Sequence, residues 1–335
     1  MTQQLASFLI ALSLTTQCLI AGSPIEGLPI ADSPIADSPI AGSPITAIVI
    51  SPNRDDVLLG SQKGLELRSW PGMLIVGSID TELTHVHDLK FSPDGRMLLA
   101  AGGSPAEEGA VEVIDWANKK RVRSVVLHDD VVYRVAWSPD GMRWVTASGD
   151  GICSVVDAAS GETITRYEGH SRAVLDVAFF QDNKTVASVG VDQTLRLWNS
   201  SDGTHIRTLD NHVGTVNSIA IGPTVPTADS NIPVTLATIS EDRTVRLWQP
   251  TIGRLMRFGK LPSVPRTLTW SPSGDRLYVG CNDGRVGTID SRTMEVVETV
   301  DANVGRIHDL ALDFEKGLML VAGVQGFHVT GFQSK

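Results

Sequence analysis

The sequence predicts an all-β protein, a seven-bladed β-propeller of four-stranded blades, on three observations. Between Thr46 and the end of the chain, a short alternating apolar run meets a polar turn seven times, the turns starting at Ser51, Ser92, Ser138, Phe180, Gly222, Ser271 and Asp313. The starts are 41, 46, 42, 42, 49 and 42 residues apart. Two units also carry near-identical octapeptides, VDQTLRLW (Val191–Trp198) and EDRTVRLW (Glu241–Trp248). Recurrence at a fixed period marks units that cannot bury their apolar faces alone and must stack on their neighbours.

Three segments are expected along the chain. Residues 1–20 contain the apolar run Leu5–Leu14 (LASFLIALSL), of signal-peptide length and too short to span a bilayer. No Lys or Arg precedes Arg54, and Thr16-Gln17 before Cys18 do not make a lipid-attachment motif. Residues 21–45 are five tandem pentapeptides, AGSPI, EGLPI, ADSPI, ADSPI and AGSPI. A proline at every fifth position removes a backbone donor and favours extended geometry, so this segment reads as a semi-rigid spacer. Residues 46–335 form the propeller.

Within a unit the strands follow from alternation and turn chemistry. In the third, VVYRVAWSPDG (Val131–Gly141) alternates and then enters S-P-D-G, a strand running into a tight turn. RWVTAS (Arg143–Ser148), ICSVVD (Ile152–Asp157) and TITRYEGH (Thr163–His170) follow as second, third and fourth strands, separated by turns at Gly149–Gly151 and Ser160-Gly161. No helical period interrupts the series. Blades set radially leave only short, protected sheet edges.

Composition narrows function. Hydrophobic residues make up 42% of the chain, ample for a buried core. A formal net charge of −10 argues against a phosphate-binding surface, which needs clustered Lys and Arg. Cys18, Cys153 and Cys281 are too few and too scattered for a disulfide framework, and no C-x-x-C-H haem motif is present.

In the fourth unit Gly169-His170 is followed by Ser188, Asp192 and Trp198, and in the fifth His212 is followed by Thr238, Asp242 and Trp248. These side chains, at this spacing, resemble the WD40 repeat family over residues 46–335, and within it the chain is similar to secreted bacterial members. The resemblance implies that His170, Ser188, Asp192, Trp198 and His212, Thr238, Asp242, Trp248 form structural tetrads. Each would be a buried hydrogen-bond chain from indole N–H through hydroxyl and imidazole to carboxylate. In the third unit His128, Thr146 and Asp150 remain while Val156 replaces the tryptophan. The sixth keeps Asp283, with Ile289 in the tryptophan position, and the first, second and seventh lack the tetrad. Asp192 and Asp242, the most catalytic-looking carboxylates, are therefore read as structural.

The seventh unit supplies three strands, Ile307–Asp313, Leu318–Val324 and Phe327–Phe332. The family implies that its missing outer strand comes from just before the first blade, about Ala36–Ile45. Pro39 and Pro44 there are tolerable only on an edge strand.

The resemblance also implies that partners bind the top face. Its first ring of positions falls on Thr46, His87, Tyr133, Leu175, Asn217, Arg266 and His308. A second, two residues earlier, includes His85, Val131, Thr215 and Arg306, and a third offers Glu241 and Asn282. Aromatic, Arg and His anchors with few Lys suit a protein partner. His85, His87 and His308 could converge as metal ligands with Asp88 and Asp309 behind them, but hydrated polar residues at the channel mouth are the favoured reading. No metal and no cofactor is expected. Gly102–Gly109 (GGSPAEEG) and Gly222–Val234 (GPTVPTADSNIPV) break the period and read as over-long loops that are binding candidates, the alternative being tolerated surface loops. H-E-x-x-H, G-x-S-x-G and phosphate-binding glycine loops are absent. The expectation is an exported, periplasmic or envelope-associated, monomeric, non-catalytic scaffold for protein partners, binding no nucleic acid and spanning no membrane. The alternatives are a propeller enzyme or ligand-binding protein using His87, His308, Tyr133 and Arg266 at the channel mouth, and a cytoplasmic scaffold.

Overall fold

A computed structural model describes residues 42–223 and 235–332. Seven antiparallel meanders follow one another, six of four strands and one, the seventh, of three described strands. The first strand of each meander packs against the first strands of the meanders before and after it, and Ile307–Asp313 of blade 7 packs against Ile45–Ile50 of blade 1, closing the ring. These first strands line the axis, and the fourth strands face outward. Second strands are almost wholly buried, as in Thr185–Gly190, whereas Thr163–Tyr167 on the outside of blade 3 is largely exposed. Among the described residues no helix is long and apolar enough to cross a membrane.

The core is divided, because a twisted four-stranded sheet must bury both faces. Seven apolar clusters each wedge between two neighbouring blades. Leu58, Leu67 and Val86 sit between blades 1 and 2, and Ala187, Leu197 and Trp248 between blades 4 and 5. Cys153 and Cys281 lie inside such wedges, where burial pushes both thiols up, Cys281 to about 12.

The expected strands of blade 3 are present with shorter ends: the third is Cys153–Asp157 and the fourth stops at Tyr167, because His170 leaves the sheet to enter a buried network. Gly102–Gly109 is not a loop. Met97–Ser104 and Glu108–Asp115 are eight-residue strands, and the insertion extends their hairpin through Gly102↔Ala110, Gly103↔Gly109 and Ser104↔Glu108. Glycines at the rim permit this, since a Cβ on Gly102 would lie 1.8 Å from the His85 carbonyl oxygen. Most of Gly222–Val234 lies outside the described residues.

The proposed closing strand, Ala36–Ile45, also lies largely outside them, and its last residue is reassigned. Ile45 pairs with Ser61 and begins the inner strand of blade 1. Side chains knit the seam between blades 7 and 1. The Ile48 amide donates to Asp309 Oδ2 (3.1 Å), Trp70 Nε1 to Asp313 Oδ2 (2.9 Å), and Lys316 Nζ to the Arg54 carbonyl (2.6 Å). Arg68, buried and paired with buried Glu66 at 2.5 Å, extends its guanidinium over the Phe327 ring of blade 7. Arg68 pairs with Val57 in the register that Trp198 holds against Val186 in blade 4, so blade 1 places an ion pair near the position of a tetrad.

Candidate functional site

In every blade the pairing of inner strand with second strand slips by one residue at the same place. The register passes from Ile45 to Ala47, Val86 to Asp88, Val132 to Arg134, Val174 to Asp176, Val216 to Ser218, Pro265 to Thr267 and Ile307 to Asp309. The residues passed over are Thr46, His87, Tyr133, Leu175, Asn217, Arg266 and His308. A β-bulge leaves its extra residue out of the ladder and re-aims its side chain. Here seven bulges point seven side chains at one place. All of them line a funnel of about 380 Å³ at the mouth of the channel, together with Gln62, Arg134 and Arg306.

The ring residues are not equivalent. His87 meets Tyr133 edge-on at 5.5 Å between centroids and stacks with His85 at 6.2 Å. Arg266 donates through Nε to Asn282 Oδ1 (2.9 Å) and through a terminal nitrogen to Glu241 Oε1 (3.3 Å), so the third ring holds the first. Asn217 is buried and donates from Nδ2 to the Pro265 carbonyl (2.8 Å), which ties blade 5 to blade 6. Thr46 Oγ1 donates to backbone carbonyls, including that of Val86. Leu175 and Tyr133 are half-buried and form a less polar side of the wall. Of the second ring, Val131 is buried while Arg306 is exposed at the rim.

Cations and burial set the charge of the imidazoles. Burial lowers His87 to about 4, helped by His85, Arg134 and His308. Burial and then Arg306, Arg134 and Arg266 bring His308 to about 4 as well. Both are neutral at pH 7. Among the described residues no three His, Cys, Asp or Glu side chains are placed to hold a metal ion.

Asp88 and Asp309 do not back the imidazoles. With Asp176 they form a layer below the funnel, and each accepts a backbone N–H from the next blade: Val135 to Asp88 (3.0 Å), Ile219 to Asp176 (3.0 Å) and Ile48 to Asp309 (3.1 Å). Arg134 and Lys90 pair with Asp88 at 3.1 and 3.4 Å. Burial pushes Asp88 up, but Lys90 and Arg134 hold it below the usual carboxylate range. Burial raises Asp176 and Asp309, with Arg134 opposing it. Asp176 was legible only as the Asp of V-L-D-V, in register with V-H-D-L and I-H-D-L. Arg134 carried no local signal.

The tetrad residues lie away from the funnel, within the blades. In blade 4 His170 contacts Asp192 through Nδ1 (3.0 Å) and Ser188 through Nε2 (2.8 Å), and Trp198 Nε1 donates to Ser188 (3.1 Å). In blade 5 the same chain runs Trp248 to Thr238 (2.8 Å), Thr238 to His212 (2.8 Å) and His212 to Asp242 (2.8 Å). A hydroxyl that accepts from the indole has its own proton free for imidazole Nε2, which leaves Nδ1–H to donate to the carboxylate. Burial works to raise Asp242, yet bonds from Thr244 and His212 hold it at about 2, and Asp192 is likewise held far down. In blade 3 His128 joins Thr146 (2.7 Å) and Asp150 (2.9 Å).

The WD domain, G-beta repeat family matches residues 119–157, 161–199 and 203–249, the stretch that carries these networks, and the anaphase-promoting complex subunit 4 WD40 domain matches residues 236–315. Protein HIR1 of Cryptococcus neoformans is 28% identical over 173 residues, covering 50% of this chain and 18% of that protein. Eukaryotic translation initiation factor 3 subunit I of Debaryomyces hansenii is 32% identical over 123 residues, 36% of this chain and 33% of that protein. A WD repeat-containing protein of Synechocystis is 31% identical over 136 residues, 40% of this chain and 38% of that protein. The chain thus spans less than half the length of each of these relatives. Repeat matches and a ring of seven blades lead to one conclusion: the chain belongs to the WD40 repeat family.

Proposed function

We propose that this protein is a non-catalytic interaction scaffold that receives protein partners at the end of the channel where the inner strands begin. The observation that carries the reading is the bulge ring. Seven side chains from seven blades leave their ladders at one register and converge on one funnel, an arrangement that strand pairing alone does not require. Tyr133 and Arg266 are of the kinds that dominate protein interfaces. The carboxylates below the funnel accept hydrogen bonds from neighbouring blades, which supports binding over proton-transfer chemistry. One matching family model and one relative bear the names of subunits of larger assemblies, in keeping with a partner-dependent role.

The test is affinity capture with wild-type bait against a Tyr133→Ala/Arg266→Ala double variant. Partners should be lost with the variant, and equal recovery would overturn the assignment of this face. Export is a separate proposal, supported by the apolar run Leu5–Leu14, which has the length of a signal-peptide core. A tagged full-length chain found in the cytoplasm with Met1 retained would overturn it.

A further inference from the structure

The funnel wall is polarised. Blades 3 and 4 contribute Tyr133 and Leu175, both half-buried and both presenting carbon to the opening. Across the ring, blades 6 and 7 contribute Arg266, Arg306 and His308. The charges on that side are unequally compensated. Arg134 on the floor has Asp88, and Arg266 on the rim has Glu241. Arg306 makes no ion pair among the described residues, and it is exposed at the opening. Arg266 also keeps donors beyond the two bonds that hold it, since a guanidinium carries five N–H groups. Arg306 thus adds positive charge to a concave mouth in a protein of formal net charge −10.

Guanidinium groups in a shaped recess recognise carboxylates by paired, charge-assisted hydrogen bonds. A recess of about 380 Å³ is at the small end of ligand sites and suits a few side chains, not a folded surface. We infer that the funnel takes an extended partner segment in which an apolar side chain lies beside an Asp or Glu, the apolar group against Tyr133 and Leu175 and the carboxylate against Arg306 and Arg266. His308, neutral at pH 7, adds a hydrogen-bond donor on the cationic side. This rests on the reading of the face as the partner surface and specifies the chemistry of what enters it.

A membrane-bound array of hexapeptides tests both halves at once, with Ser and Gly flanks around two central positions that run through all residue pairs, phosphoserine included. Wild-type protein should favour Leu, Ile, Met or Phe beside Asp or Glu over the matching Asn or Gln pairs by about fivefold. Arg306→Gln should abolish the acidic preference and keep the apolar one, and Leu175→Ser should do the reverse. Arg96→Gln, in the turn at the far end of the channel, should change neither. An absent acidic preference in the wild type, or one that survives Arg306→Gln, overturns the inference. Phosphoserine preferred over Glu by roughly tenfold overturns it too, and assigns the recess to phosphorylated segments. If Tyr133→Ala/Arg266→Ala loses captured partners while the array shows no acidic preference, the carboxylate assignment alone falls. Equal capture with both baits removes the partner-face reading beneath it.

Discussion

Thr238→Val removes one hydroxyl from the interior of blade 5 and keeps nearly the same shape. Thr238 is fully buried and joins two groups, accepting from Trp248 Nε1 at 2.8 Å and meeting His212 Nε2 at 2.8 Å. Valine leaves both without a partner. An orphaned buried polar group costs about 1–3 kcal/mol, and the methyl gained offsets part of that, so the loss is about 2–4 kcal/mol. In urea unfolding this is a lower midpoint at unchanged slope, and in thermal unfolding a fall of roughly 3–7 °C for a domain of this size. Thr238→Ser keeps the hydroxyl, as Ser188 does in blade 4, and should cost about 1 kcal/mol. Adding Trp248→Phe removes the orphaned indole donor, so the double variant should lose less than the sum of the singles by about 1 kcal/mol. A loss below about 0.5 kcal/mol for Thr238→Val, or strict additivity in the cycle, would refute the hydrogen-bond account of blade 5.

Acid should act in two stages. His87 and His308, depressed in the folded state to about 4, stabilise above the ordinary histidine range, and that contribution disappears as pH falls from about 6.5 to 4. Asp242, held at about 2 and almost fully buried, contributes about 2 kcal/mol that is lost between about pH 4 and pH 2. Melting curves across pH should show both stages; His87→Gln/His308→Gln should flatten the first and Asp242→Asn the second. Asp313→Ala strands the Trp70 indole at the seam and should lower stability by about 1–3 kcal/mol, measured by denaturant titration. Cys153 and Cys281 should resist a thiol reagent until the protein unfolds, in a Cys18→Ser background; rapid labelling of native protein would contradict their burial.

Blades 3 to 5 were legible because their His, Ser or Thr and Asp, with Trp in blades 4 and 5, stand close together in sequence, at separations the turns dictate. The funnel ring was legible for a related reason. Counting back from each turn finds the same register, and the bulge falls at that register in all seven blades. What escaped reading depends on contacts between blades. Asp88 and Asp309 looked like partners for adjacent imidazoles, yet alternation along the strand carries them to the neighbouring blade's amides. Nothing in the sequence marks Glu66 and Arg68 as buried, and only the Phe327 face opposite gives Arg68 a buried place. The Gly102–Gly109 insertion read as a loop because its Gly, Ser and Pro favour turns, whereas the ladder beneath it simply continues for three more pairs.

Strand pairing inside each blade joins chain neighbours, but the seam joins Ile48 to Asp309 and Trp70 to Asp313, separated by 261 and 243 residues. Closing a loop of that length costs about 5 kcal/mol in chain entropy from its logarithmic dependence on length. Contacts so remote form late during folding, and the seam is then the natural place for the native ring to breathe open. Exchange of the Ile48 amide proton reports that opening. Thr46 and His308 stand on either side of the same seam at the funnel mouth, so a segment lodged there bridges the two ends of the chain. Occupancy should slow exchange at Ile48 more than at Ile219, which makes the equivalent bond inside the ring, and binding at the mouth would thereby act as a latch on the whole circle.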